Sequence, residues 1–418
     1  MSQVENFPAM KKIKKIAMIY REVGTCGGIQ RGASFQIGQF REWGYEPIVL
    51  TEKELGRDEG RAVRLAAVLR EQKADIVIEH DTYNKAKLSA DIAAAQDVDL
   101  PFVIFWHSVF SCLIASGFKK SMDIYPLLNE ADAIIALSPT DEAFFRLIGL
   151  RALAIPYCDA DLMEGFKRCE YPHRVVWMGR FVPEKRVKDA VLIAKRLREK
   201  VSDSELVILG GGALEDEREL ARFIRANRLP RGTVTFAGYQ KDVRPYLESA
   251  GAGLVTSEFE GFCHAIVEMK MASLPVVSYA MPYLETLKEG TGVLQVAQGD
   301  VNAAADRLAE LFQNSAECMR QGRLARQSYD TLRAFDQRGA YERLFADLAE
   351  PDERSTLLAA DLATAPRLFD ILVRHGVTGL GALERRVERR LAGNRDVPGI
   401  RGKIGRLLIK IGKRLCGG

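Results

Sequence analysis

At 418 residues the chain is longer than one hydrophobic core usually organises, so two domains are expected. Its 60 basic and 56 acidic residues leave a net charge of +4, too even a balance for a general nucleic-acid binder, and its 47% hydrophobic content is that of an ordinary soluble protein. Seven scattered cysteines lack the paired spacing of a zinc site or a disulfide framework and fit a reducing compartment.

The opening "MSQVENFPAMKKIKKIAMIY" has only a short apolar run after its basic residues, which makes it a poor signal peptide. No apolar run approaches the roughly 18 to 20 residues that span a bilayer, so a cytoplasmic protein is expected. Short β-branched runs follow, "KIAMIY", "EPIVLT", "DIVIEH", "PFVIFW" and "DAIIAL", separated by segments of helical spacing such as "RAVRLAAVLREQ". Continuous apolar strands between helices predict a parallel sheet covered on both faces. "ALAIPYCDADLMEGFKRCEYPHR", with its Pro, Gly and charge, reads as a hinge. A second series then begins: "RVVWMG", "ELVILGGG", "TVTFAG", "GAGLVTS" and "LPVVSY". The expectation is two doubly wound α/β domains, 1–165 and 170–332, with ligands held at the carboxyl ends of the strands in the cleft between them. From about Glu350 this rhythm stops, and 351–418 reads as a helical extension. Its last segment carries six basic residues and no acidic one, with Ile400, Ile404, Leu407, Leu408, Ile411 and Leu415 on one helical face. Such a tail is suited to an anionic membrane surface, although a terminal helix packed on its own domain or a basic tail would look the same.

Several loops can carry chemistry. Arg180 and Lys185 follow the first strand of the second series, where a guanidinium fork and an ammonium suit a diphosphate; a solvated basic loop is the plain alternative. Gly210, Gly211 and Gly212 follow the next strand and permit close approach of a phosphate or base, but the full dinucleotide fingerprint is absent. Gly238 and Tyr239 form another such turn. Gly27 and Gly28 lie between the first strand and first helix, where backbone N–H groups point at ligands in this kind of fold. His107 ends an apolar strand and can donate to a sugar hydroxyl or handle a proton; His80 and Asp81 could line the same cleft further out. No Ser or Cys nucleophile pairs with His107 in sequence, so a hydrolase triad is not supported.

"SEFEGFCHAIVEM" sets Glu260 and Gly261 before a helix and Glu268 about two turns into it. With a helix start near Phe262, roughly 9 to 10 Å of rise separates its first turn from Glu268, too far for one metal or a shared-proton dyad. Two carboxylates so spaced suit the hydroxyls of an elongated ligand, and the N–H groups near Phe262, Cys263 and His264 would face a diphosphate between them. A surface position for Glu268 is the plain alternative.

Taken in order, "GRFVPEK", "VILGGG", "FAGY", "TSEFEGFCHAIVEMKMASLPVV" and "GTGVLQVAQGD" resemble a retaining glycosyltransferase of family 4 with the GT-B fold; "GGIQRG", "FWHS" and "ADAIIALSPTDEAF" match more weakly. The resemblance covers about residues 15 to 350. It implies that Arg180 and Lys185 hold the diphosphate of a UDP- or GDP-sugar, that Glu260 binds the sugar hydroxyls and Glu268 the ribose. It further implies that His107 contacts the sugar near the reacting carbon, that Gly27 and Gly28 approach the phosphate or acceptor, and that no metal or other cofactor is required. The acceptor would be a glycan, lipid-linked or other cell-envelope molecule, and no nucleic acid is involved. A helix at about 335–350 would cross back to the first domain. The leaving phosphate would take the acceptor's proton in a front-face attack, with the protein supplying position and electrostatics. A GT-B sugar-nucleotide epimerase, a phosphorylase and an inactive partner subunit are the alternatives; the intact charged residues speak against the last. This chain departs from the pattern with Cys263 and Ser273 where Gly is common, and with Tyr157–Cys158 in place of an Asn-Gly pair. Those changes leave the donor's identity open.

Overall fold

The computed structural model describes residues 13–23, 28–80, 84–108, 118–157, 173–281, 284–288 and 290–349. Two six-stranded sheets account for the strands. The first contains β1 (Lys15–Tyr20), β2 (Glu46–Thr51), β3 (Ile76–Glu79), β4 (Phe102–Phe105), β5 (Ala133–Ala136) and β6 (Ala152–Ala154), in the order β2-β1-β3-β4-β5-β6. The second contains β7 (Arg174–Met178), β8 (Glu205–Leu209), β9 (Val234–Gly238), β10 (Ala252–Val255), β11 (Val276–Tyr279) and β12 (Val293–Val296), in the order β12-β11-β10-β7-β8-β9. Every pairing is parallel. β3, β4 and β5 are buried at every position, which is why they read as unbroken apolar runs. This is the two-domain doubly wound architecture of the GT-B fold.

In each sheet the strand order reverses once, between β1 and β3 and between β7 and β10. Loops leaving such a pair diverge and open a crevice at the strands' carboxyl ends. Arg180, Lys185 and Glu260 occupy that position in the second sheet, and His80 in the first.

Three apolar clusters hold the molecule. One lies within the first domain around Leu65, Ile92 and Phe145, and one within the second around Trp177, Ile193 and Leu308. The third runs through both, joining Ile16 and Phe105 to Ile266 and Met269 by way of Tyr157 and Phe262. The helix Gln337–Ala349 follows the second domain in sequence yet packs on the first: Tyr341 meets Phe40 at 4.8 Å between ring centroids, and Phe345 meets Tyr45 at 5.5 Å. Gln337 Nε2 donates to the Pro156 carbonyl at 2.7 Å, and Gln36 bonds the Tyr341 hydroxyl.

Two local expectations change. "ALA" at 152–154 is a strand paired with β5, so the link between domains is shorter than its composition suggested. The helix expected from Phe262 begins at His264 and ends at Met271, because Cys263 adopts left-handed φ 64° and ψ 72° and cannot continue a right-handed turn. The rise from the first helical residue to Glu268 is thus about 6 Å rather than 9 to 10 Å. The basic tail and the rest of 351–418 lie outside the described residues.

Candidate active site

At the switch point of the second sheet, the loop after β7 and the loop after β10 are tied together before any side-chain chemistry is considered. Trp177 Nε1 donates to Thr256 Oγ1 at 2.9 Å, that hydroxyl donates to the Lys185 carbonyl at 2.8 Å, and Glu258 N donates to the Glu184 carbonyl at 2.7 Å. Gln298 adds donors to the carbonyls of Ser257 and Ala280. Two loops that sequence reasoning could only place separately form one rigid platform.

On this platform Lys185 Nζ donates to Glu260 Oε1 at 2.5 Å, and Ser257 Oγ donates to the same oxygen at 2.6 Å. Glu260 is buried, and Lys185 is largely so. Burial pulls the Lys185 ammonium down, and the nearby Arg180 adds to that, but the Glu260 charge and hydrogen bond outweigh both and hold it above its ordinary value. Burial pushes the Cys263 thiol well up, and Glu260 pushes it further, so it stays protonated beside this pair. Arg180 is exposed and has no ion-pair partner among the described residues. The platform therefore presents one compensated cation, one uncompensated cation and a buried, hydrogen-bonded carboxylate.

The glycine positions divide. A Cβ on Gly210, where φ is 120°, would fall 1.9 Å from the Gly179 carbonyl oxygen, so only glycine lets these two loops meet. A Cβ on Gly212 would sit 2.9 Å from Phe181 Cβ. Gly238 has φ 71° with open space around it, and Tyr239 beside it is 59% exposed. Gly261 is one place where the domains touch: its Cβ would lie 2.4 Å from the His107 carbonyl oxygen. Gly28 opens the first helix, at Gly28–Glu42, while Gly27 and Asp81 lie outside the described residues. Glu268 is buried on the helix after the platform, which removes the reading of a surface residue. Phe262 is buried, and its carbonyl accepts from Thr286 Oγ1 at 3.2 Å.

His107 is not an open imidazole. Its Nε2 lies 3.0 Å from His80 Nδ1, and its Nδ1 lies 2.5 Å from the Tyr157 hydroxyl. Burial holds the His107 pKa down to about 3, with the charge of His264 adding to it, so the ring is neutral above pH 4. Burial likewise holds His80 well below its ordinary value. What His107 turns towards the second domain is its carbonyl oxygen. Tyr157, Ser257 and Gly32 escaped the sequence as site residues; only the unusual Tyr157–Cys158 pair after a proline gave a signal for the first.

Among the described residues no group of carboxylate, histidine and cysteine side chains is placed to hold a metal ion. The site is thus a cationic and carboxylate platform facing a neutral, hydrogen-bonded wall of aromatic and imidazole rings.

Comparison with known proteins agrees with this architecture. Residues 172–314, most of the second domain, match the family model of the Glycosyl transferases group 1. Over 256 residues the chain is 29% identical to a glycogen synthase of Mycobacterium tuberculosis, covering 56% of this chain and 60% of that one. It is 24% identical over 153 residues to a poly(ribitol-phosphate) α-N-acetylglucosaminyltransferase of Staphylococcus aureus, covering 36% and 30%. The chain spans less than two thirds of the length of both relatives. Among solved structures, the Anabaena protein HepE in complex with UDP and glucose superposes with a TM-score of 0.63 at 16% identity, covering 81% of this chain and all of that one. A sucrose-phosphate synthase of Thermosynechococcus elongatus gives 0.66 at 18% identity, over 80% and 99%. At such identities the likeness is one of fold.

Proposed function

We propose that the protein is a retaining glycosyltransferase that moves a sugar from a UDP- or GDP-sugar to a glycan, lipid-linked or other cell-envelope acceptor. The observation that carries this reading is the Lys185–Glu260–Ser257 cluster, with Arg180 beside it, at the switch point of the family-matched domain. Arg180 and Lys185 meet the diphosphate and neutralise the charge that builds on it as the glycosidic bond breaks. Glu260, already fixed by two donors, accepts from hydroxyls of the sugar, and Glu268 from the ribose. The acceptor hydroxyl attacks the anomeric carbon from the face the diphosphate leaves, the C–O bond to phosphate breaks, and the departing phosphate oxygen takes the hydroxyl's proton. No side-chain nucleophile is needed, and the protein acts by position and preorganised charge. The glucose and UDP in the HepE complex and the N-acetylglucosaminyltransferase named among the relatives support this class of donor and reaction. We place the reaction at the cytoplasmic face of the membrane, on the strength of the basic tail's sequence.

UDP or GDP should raise the melting temperature of the wild type without added metal, and Arg180→Ala should abolish that rise. A wild type indifferent to every nucleoside diphosphate would remove the donor-site assignment.

A further inference from the structure

Tyr157 stands at the end of the first domain, three residues after β6, and its ring is held from three sides. A Cβ on Gly32, in the helix Gly28–Glu42, would come 2.6 Å from Tyr157 Cε1, so the bare glycine is the notch that admits the ring. From the second domain, Phe262 packs on it at 5.3 Å between centroids and His264 at 5.0 Å. On the first-domain side Tyr157 closes a column of rings: Tyr20 on His80 at 4.2 Å, His80 on Phe105 at 4.9 Å, and Phe105 on His107 at 4.6 Å.

The hydrogen bonds along this column have a direction. His80 Nε2 is buried and has no hydrogen-bond partner among the described residues. A buried N–H with no acceptor is rarer than a bare lone pair, so the His80 proton belongs on Nδ1, donated to His107 Nε2. The neutral His107 then carries its own proton on Nδ1 and donates it to the Tyr157 oxygen. We propose that Tyr157 is a positioning residue: its hydroxyl fixes the tautomer and ring orientation of His107, and so the aim of the His107 carbonyl at Gly261, while Gly32, Phe262 and His264 hold that hydroxyl in place. This assignment rests on the proposed glycosyl transfer for its effect on rate, but not for its effect on His107.

The test uses the full chain labelled with 15N-histidine, which has only five histidines to resolve. In the wild type the His107 Nδ1 should carry the proton and Nε2 should not. Tyr157→Phe keeps the ring, removes the acceptor and should shift His107 towards the other tautomer. The same variant should lower kcat about tenfold, the worth of one hydrogen bond, with the donor KM within about twofold. Gly32→Ala keeps the hydroxyl but crowds the ring, and should move the same histidine signals in a helix that alanine favours. An unchanged histidine pattern in Tyr157→Phe overturns the proposal whatever the turnover, and unchanged kcat in both variants overturns the rate claim. If the wild type releases nucleotide from no sugar donor, the functional reading fails, and the tautomer result still decides the role of Tyr157.

Discussion

Glu260 and Glu268 sit eight positions apart in one segment and both are buried. Glu260 already receives Lys185 and Ser257, so Glu260→Ala removes the anchor of both and frees a buried ammonium. If Glu260 also orients the transferred sugar, turnover should fall by about a hundredfold, the scale of losing one preorganised group, with nucleotide affinity changed far less. Glu268→Ala should do the reverse, weakening UDP or GDP binding while saturated turnover holds; calorimetric titration beside a nucleotide-release assay separates them, and equal effects of the two variants would refute the division of roles. The charged residues of the site were legible because loops after strands, glycine turns and carboxylate spacing leave a pattern in one dimension. Tyr157 and Gly32 were not, since their roles come from contacts between segments far apart in the chain, and Ser257, three residues from the carboxylate it bonds, carries no pattern that marks it. The true helix start was signalled only through the resemblance, by the glycine common where this chain has Cys263, which takes a left-handed backbone despite its Cβ.

The helix His264–Met271 holds a second buried charge, away from the platform. Lys270 is 2% exposed, and its ammonium bonds only the hydroxyls of Thr291 and Ser328, each at 3.0 Å; no carboxylate among the described residues pairs with it. Burial brings its pKa from 10.5 down to about 7. Between those values the unfolded chain binds a proton that the folded one does not, so this group makes stability rise with pH from about 7 to 10.5. Below pH 7 both states are protonated and the cost of burial is fully present. Lys270→Met should therefore stabilise the protein at pH 7 by on the order of a few kcal/mol, and the gain should shrink towards pH 10. Urea titrations of both forms at pH 7, 8.5 and 10 measure this, and a gain that does not change with pH would show that packing rather than charge is responsible. The helix itself was legible from its position after a strand. Its burial on all sides was not, because one short sequence cannot reveal the long helix Ser315–Arg333 packed across it.

For the molecule as a whole, the alternation of apolar strands and helices was enough to foresee two parallel sheets, since strands covered on both faces lose the polar alternation that would otherwise mark them. The strand orders, with one reversal in each sheet, were not foreseeable from spacing alone. The tail beyond the two domains enters only through its charge: six basic groups at about 1 kcal/mol each could hold the protein on an anionic bilayer. Truncation after Gly393 should then release it from vesicles containing anionic lipid, with no effect on neutral ones. Equal co-sedimentation of the full and truncated chains would remove the membrane placement.

The helix Gln337–Ala349 gives the first domain a debt to the end of the second. On the ribosome, β1 to β6 emerge early, but the surface around Phe40 and Tyr45 has no cover until residue 349 is made. At roughly 5 to 20 residues per second the nascent first domain waits about 10 to 40 s with that apolar face bare. The domain that is first in sequence is thus the last to be finished, and during that interval the growing chain is most exposed to chaperones and to other chains like itself.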